Sequence, residues 1–415
     1  MSQVTAVLIG AGGRGIHAYA PYALERPDRL RFVAVADPDP VRRQEFAARY
    51  RVDEAMCFTG WEQLLARPRL AEAAIICTQD RMHYAPAMAA LAAGYHVLLE
   101  KPISPDPREC VELAETARRH GRLLAVCHVL RYTPFFATLK RLLDEGRIGR
   151  LISIQHNENV GYFHMAHAFV RGHYRNSTES SPMILAKCCH DMDIMLWLAG
   201  ADCVRLASFG SLLHFRPEEA PPGAPARCLD GCPAQDQCPY DAARIYLNPP
   251  VPWLTLMIGD GSREGMLQAL RTGPYGRCVY RCDNDVVDHQ VVSIEFANGV
   301  TAAFTMCGFT QEVSRTIKLM GTHGEIRGYM EGNEIEVSEF STGRLDIVRI
   351  AAPAEGHGGG DVELIKNFTS MVAEDCTASP TSAETSVQSH LMSFAAEKSR
   401  REGRVVVMEQ YRNEF

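Results

Sequence analysis

Nothing in the 415-residue chain approaches the roughly 20 consecutive apolar residues of a membrane-spanning helix. No charged leader precedes the first apolar run either, so a cytoplasmic protein with no membrane partner is expected. Basic runs are equally absent: with a formal net charge of −7 and a pI near 6.1, the chain lacks the electrostatic footprint of a nucleic-acid binder. Internal repeats and low-complexity tails are missing too. What is present is an ordinary globular composition, 46% hydrophobic and 22% charged, in a chain too long for one compact core. Two domains and small-molecule partners are therefore expected. The fourteen cysteines are expected to be reduced core thiols or metal ligands, since the cytosol disfavours disulfides.

Against that plain background the first 37 residues stand out. An apolar strand, Val7-Leu8-Ile9, opens into Gly10-Ala11-Gly12-Gly13-Arg14-Gly15, and a second strand, Phe32-Val33-Ala34-Val35-Ala36, ends at Asp37. In a dinucleotide fingerprint Gly10 permits the tight turn, Gly12 lets the backbone approach a pyrophosphate, Gly15 allows close helix packing, and the helix amides face the phosphates. A carboxylate 22 residues past Gly15 favours this over a Gly-rich surface turn. Asp37 suits both adenosine ribose hydroxyls and repels a 2′-phosphate, so NAD is the expected cofactor. NADP stays open through Arg42 and Arg43, which are expected to face solvent from the next helix.

The alternation continues with helices near 41–50, 84–93 and 107–120 and strands at 74–77, 96–99 and 123–126. The chain reads as α/β: an N-terminal doubly wound parallel sheet (Rossmann, 1–128) followed by a substrate-binding α/β domain on a mostly antiparallel open sheet (129–415). The change is marked by longer alternating strands at 151–155, 291–296 and 301–306. Residues 215–252, rich in Pro, Gly and Cys, read as an insertion. Helices at 362–374 and 382–401 and a strand at 405–407 close the chain.

Glu100-Lys101-Pro102 lies just past the carboxyl end of a sheet strand, where open α/β sheets bind ligands, which puts Lys101 near a nicotinamide. An ammonium beside that cationic ring has a depressed pKa and trades a proton with a sugar hydroxyl as hydride leaves; the alternative is a surface salt bridge. A second constellation, Lys187-Cys188-Cys189-His190-Asp191-Met192-Asp193, opens a helix. His190 and Asp193 share a helical face, so Asp193 is placed to orient the imidazole and His190 to address the substrate hydroxyl. Lys187 is a cation for an anionic substituent or an extra acid or base, against a plain surface lysine. Between them, Tyr162, His173 and Tyr174 are candidates to stack on and hydrogen-bond a pyranose, and Arg171 and Arg175 to pair with an anion or with a neighbouring subunit.

Together with Thr78 and His83, Arg131-Tyr132-Thr133-Pro134 and His357-Gly358-Gly359-Gly360-Asp361, these motifs resemble the glucose–fructose oxidoreductase, inositol dehydrogenase and rhizopine-catabolism family (Gfo/Idh/MocA) over nearly the whole chain. The resemblance implies a Rossmann domain and an α/β domain whose open sheet often forms an oligomer interface, hence a homo-oligomer, dimer or tetramer. It implies cofactor contacts at Gly10, Gly12, Gly13, Arg14, Gly15, Asp37, Thr78, His83, Glu100 and Lys101, catalytic roles for Lys101 and His190, and often a cis peptide before Pro102. One departure matters. Inositol-dehydrogenase-like members carry an Asp four residues before this His; here that position is Ala186, followed by Lys187, which weakens a simple polyol dehydrogenase.

Cys228-x3-Cys232-Pro-x4-Cys238-Pro-Tyr places three thiols within eleven residues of a Gly/Pro-rich loop. A structural zinc site needs a fourth ligand, which Cys278 or Cys282 supplies, Cys278 being preferred. An iron–sulfur cluster and free buried thiols are the alternatives.

The expected activity is oxidation of a secondary ring hydroxyl of a sugar or glycoside, at C3 as the resemblance implies, by hydride transfer to NAD. An alternative shares that first step. In an NAD-dependent redox glycosidase, oxidation at C3 acidifies the C2 proton, elimination expels the aglycone, water adds and hydride returns. The resemblance extends to NAD-dependent sulfoquinovosidases, whose sulfonate needs cations such as Arg171, Arg175 or Lys187. A non-catalytic NAD sensor is disfavoured by the presence of both Lys101 and His190.

Overall fold

The computed structural model describes residues 2–249, 251, 254, 261–351, 357–377 and 379–415. Pro250 and Pro252 of the expected insertion, and the side chain of His357, lie outside the described residues. The apolar runs of the first third form six strands, β1 (Val4–Ile9), β2 (Leu30–Ala36), β3 (Cys57–Phe58), β4 (Ala73–Ile76), β5 (His96–Leu99) and β6 (Leu124–Val126), all parallel, in the order β3-β2-β1-β4-β5-β6. β4 and β5 are buried at every position, as strands covered by helices on both faces must be. The strand order reverses between β1 and β4, which opens a crevice at their carboxyl ends.

The helix expected directly after the glycine loop is instead a six-residue π-helix, Arg14–Tyr19. Its wider turn brings Arg14 and Tyr19, five residues apart, onto the same carboxylate, Glu100.

Nine further strands, β7 (Leu151–Asn159), β8 (Cys203–Ser211), β9 (His289–Phe296), β10 (Thr301–Cys307), β11 (Ser314–Gly321), β12 (Gly324–Tyr329), β13 (Glu334–Glu339), β14 (Leu345–Arg349) and β15 (Val406–Val407), form a second sheet in the order β14-β13-β12-β11-β7-β10-β9-β8-β15. Its pairings are antiparallel except β7 with β10. β9 and β10 alternate buried and exposed positions, the mark of a sheet with one covered face.

The C-terminal segments sew the two sheets together. In the helix Gly360–Ala373, Leu364, Ile365, Phe368 and Val372 share a core with Leu8, Phe32 and Phe46 of the first sheet and its helices. Just before the helix Ala383–Glu402, Thr381 accepts from the backbone N–H of Val126 in β6 at 2.9 Å. Among the described residues, no helix is long and apolar enough to cross a membrane.

Candidate active site

Gly10 ends β1 at a φ of +92°, and a Cβ there would lie 2.6 Å from the Cys77 carbonyl oxygen beyond β4. Gly15 backs onto the Gly10 carbonyl and Leu8, so the π-helix starts flush against the strand. A Cβ at Gly12 or Gly13 would meet nothing within 4 Å: this backbone faces an open groove. The groove, of ≈ 290 Å³, is lined by Gly10, Gly12, Asp37, Trp61, Thr78 and Met82 among others. It sits in the crevice between β1 and β4, and its bare backbone fits a dinucleotide's phosphates.

Asp37, only 3% exposed, accepts from the backbone N–H of Ala11 at 2.7 Å and of Asp39 at 2.8 Å. The expectation that Arg42 and Arg43 turn to solvent holds for Arg42, whose side chain is 47% exposed, while Arg43 is half-buried; both also reach back to Asp37. Arg42 reaches Asp37 Oδ1 at 3.0 Å, drawn by a nearly buried carboxylate, and Arg43 donates to the Asp37 backbone carbonyl at 2.6 Å.

β5 delivers Glu100 and Lys101 to the same crevice, with a cis peptide between Lys101 and Pro102. Glu100 accepts from Arg14 at 2.7 Å, the Tyr19 hydroxyl at 2.5 Å and the Lys101 backbone N–H at 2.9 Å. Burial works against its charge, but Arg14 and Lys101 hold its carboxyl below the ordinary range. Arg14 also pairs with Asp361 at 2.7 Å, so it ties the glycine loop to the turn after β5 and to the helix Gly360–Ala373. His83 braces this turn from the other side, with Nδ1 2.6 Å from the Pro102 carbonyl and Nε2 3.1 Å from that of Thr78.

Lys101 leans across to the second domain, where its Nζ donates to the Ala186 carbonyl at 2.8 Å. The depressed pKa expected for it is not what the protein's own field produces. Burial opposes its charge, yet Cys189, Tyr174, Glu100 and Asp80 outweigh that and raise it above the ordinary lysine value. Tyr174 is the counterpart: burial pushes its phenol up to about 12, with Lys101 pulling the other way. Asp80, which sequence reasoning missed, is 4% exposed and accepts from Ser180 and Ser181 hydroxyls at 3.0 and 2.9 Å.

His190 stands in the first turn of the helix Cys189–Ala199, edge-on to His128 with ring centroids 5.7 Å apart. The expected orienting bond from Asp193 gives way to a stronger partner. Both Asp193 oxygens accept from Arg131, at 2.6 Å from Nε and 2.7 Å from a terminal nitrogen, a buried bidentate pair. Asp193 thus pairs with Arg131 and lies 3.9 Å from His128.

Lys187 is not a surface lysine. Its Nζ lies 3.2 Å from Glu158 of β7, which also pairs with Arg315 of β11; Arg315 reaches Asp191 at 2.9 Å, and Asp191 meets His156 at 2.8 Å. Burial, then the nearby Lys187, His167, Arg315 and Lys101, hold the His164 pKa well below the ordinary value, so this imidazole is neutral. The readable signal for this network was β7 itself, whose His156 and Glu158 fall on one face two residues apart and are wholly buried.

Three expectations fail to converge here. Arg171 is fully buried under the insertion, donating to the carbonyls of Arg277 and Tyr240, both at 2.7 Å. Arg175 is held by Asp283 at 2.8 and 2.9 Å and by Glu179. Neither arginine is presented to an anionic substrate: Arg171 is sealed beneath the insertion and Arg175 is paired with carboxylates. Tyr162 packs on Phe163 and Tyr240 beneath the insertion, and His173 lies exposed, edge-on to Tyr174. The zinc centre expected at Cys228, Cys232, Cys238 and Cys278 is not assembled: among the described residues, no three His, Cys, Asp or Glu side chains are gathered as a metal-holding group.

A parallel sheet with a phosphate-ready glycine loop, handing a lysine to the Ala186 carbonyl beside a second, mostly antiparallel sheet, fits a two-domain dinucleotide-binding oxidoreductase. The chain belongs to the Gfo/Idh/MocA oxidoreductase family: residues 4–128 match its NAD-binding Rossmann fold and residues 140–408 its C-terminal α/β domain. It is 20% identical to YteT of Bacillus subtilis over 381 residues, 87% of each chain. It is 32% identical to the inositol 2-dehydrogenase of Streptomyces avermitilis over 208 residues, 49% of this chain and 55% of that one. In fold it matches a levoglucosan dehydrogenase determined with NADH and levoglucosan, with a TM-score of 0.72 and 19% identity over 98% of this chain and 100% of that one.

Proposed function

We propose that this protein oxidises a secondary ring hydroxyl, at C3, of a sugar or glycoside. The observation that carries the reading is Lys101, set just past the carboxyl end of β5 with its backbone N–H held by Glu100, in a turn that His83 braces at Pro102, and with its Nζ aimed across the domain boundary at Ala186. Bound NAD supplies the hydride acceptor. Lys101, in its neutral form, takes the hydroxyl proton as the C–H bond opens, and Tyr174 beside it passes that proton onward. A general base so placed contributes about 10²–10⁴-fold. His190 holds the same hydroxyl from the second domain, its ring fixed by packing on His128. Exposed apolar side chains on the second sheet, Phe209 and Val291 directly opposite each other, support a homo-oligomer formed through that face.

The redox glycosidase reading is favoured by one observation, the Lys187 and Glu158 pair beside the neutral His164. Elimination and hydration need additional proton carriers near C2, and this group supplies them. An anionic substituent finds only Lys187 of the three cations expected for it. Incubation with free sugars and aryl glycosides, following NADH, released aglycone and solvent deuterium at C2, separates the two. Stoichiometric NADH without aglycone supports the dehydrogenase. Aglycone release and C2 deuterium without net NADH overturn it in favour of the glycosidase, and inertness toward both panels overturns the sugar assignment.

A further inference from the structure

The cysteine-rich insertion folds over a cavity of ≈ 10 Å³ away from the dinucleotide groove, and its walls include Cys228, Cys232, Cys238, Cys278 and Arg171. A short antiparallel bridge between Arg227 and Arg277 joins the two chain segments, with Cys228 N–H donating to the Gly276 carbonyl at 3.0 Å and Cys278 N–H to that of Ala226 at 2.8 Å. This puts Cys278 on the wall of the same cavity as Cys228, fifty residues earlier in sequence, with the four side chains not yet turned onto one point. Cys282 does not line the cavity; its thiol lies 3.3 Å from the Cys278 carbonyl.

Arg171 is the independent sign of a ligand. It is 0% exposed, one terminal nitrogen lies 3.6 Å from Cys228 Sγ, and the other, equally buried, has no hydrogen-bond partner among the described residues. A guanidinium taken wholly out of water costs several kcal/mol unless negative charge meets it. Four neutral thiols supply none, whereas four thiolates on a divalent cation carry two negative charges.

We propose that Cys228, Cys232, Cys238 and Cys278 bind a single thiophilic divalent cation, zinc by its preference for four thiolates, with Arg171 as the fixed counter-charge. Rotation of the cysteine side chains into the cavity closes the ligand set. Each thiol gives its proton to solvent as its sulfur bonds the metal, and no electron changes hands. The size of the cavity, about that of one water-sized sphere, suits one ion and leaves no room for an iron–sulfur cube. The centre pins the insertion to the 276–278 segment.

The test is metal analysis of the full-length protein purified without added metal or a metal-affinity step. About one zinc per chain is expected, together with thiols that react only as a mercurial releases that zinc to a colorimetric chelator. Cys232→Ser and Cys278→Ser should each lower zinc content at least about fivefold, while Cys282→Ser retains it. Stoichiometric iron with visible absorption overturns the proposal, as does wild-type protein that lacks stoichiometric zinc and has thiols that react freely. Zinc lost on Cys282→Ser but kept on Cys278→Ser overturns the ligand set. The wild-type stoichiometry and mercurial titration decide the question even where a serine variant fails to fold.

Discussion

Replacing Arg131 by methionine tests how the protein keeps charge inside its core. Arg131 and Asp193 are 4% and 1% exposed and bonded at 2.6 and 2.7 Å, and Arg131 also donates to the Pro380 carbonyl at 2.9 Å. Removing the arginine leaves a carboxylate buried without its counter-charge, a loss of about 3–5 kcal/mol. Among the described residues, His128 is the other basic group close to this carboxylate, at 3.9 Å. In the intact protein burial holds His128 at about 4, with Asp193 raising and Arg131 lowering its pKa. Because that folded value lies below the ordinary histidine value, His128 costs stability progressively as pH falls through the range between the two. Arg131→Met removes the repulsion and keeps the attraction, so the folded pKa of His128 rises and its protonated form begins to compensate Asp193 in acid. Urea unfolding followed by circular dichroism should therefore show a larger loss near pH 8 than near pH 5. Arg131→Met combined with Asp193→Asn should recover to within about 2 kcal/mol of wild type. A single-variant loss below about 1 kcal/mol, or a loss that does not shrink in acid, would refute the reasoning.

Asp37 should make NAD bind at least about tenfold tighter than NADP, about 1.4 kcal/mol; Asp37→Ala, which removes the 2′-phosphate-repelling carboxylate and frees Arg42, should narrow or invert that ratio by calorimetry, and equal affinities in the wild type would sink the assignment. Gly10→Ala forces a side chain into a positive φ and onto the Cys77 carbonyl, so NAD affinity should fall at least tenfold, about 1.4 kcal/mol, with the fold retained by circular dichroism. The raised pKa of Lys101 keeps it protonated at neutral pH; sugar oxidation should accelerate with rising pH, up to about tenfold per unit, while ketone reduction slows, and a flat profile would remove Lys101 as the base.

Much of the cofactor side was legible because it depends on local patterns. Fully buried parallel strands are apolar runs, and the glycine loop and Asp37 lie within one short unit. β11 to β14 were missed although β13 alternates Ile335 and Val337 inward between glutamates, a period-2 signal shorter and more charged than the runs at β9 and β10. On the substrate side the sequence identifies reactive residues but not their partners. Arg171 and Arg175 looked free until the fold brought up Tyr240, Arg277 and Asp283. Asp193 looked paired with His190, its neighbour on the helix, until Arg131 arrived from 62 residues away. Lys187 is drawn inward by Glu158, which Arg315 on another strand also pairs with. Buried charge always needs a partner, but one sequence does not say which.

The central claim is that Lys101 takes the hydroxyl proton while hydride leaves the adjoining ring carbon. The direct measurement is a single turnover of the best substrate from a panel of sugars, deuterated at C3, with wild type and Lys101→Ala. The account predicts deuterium on the nicotinamide C4, a rate at least about a hundredfold lower in the variant, and NAD affinity unchanged within a few-fold. Turnover by Lys101→Ala near the wild-type rate, or no deuterium on the nicotinamide, would contradict it.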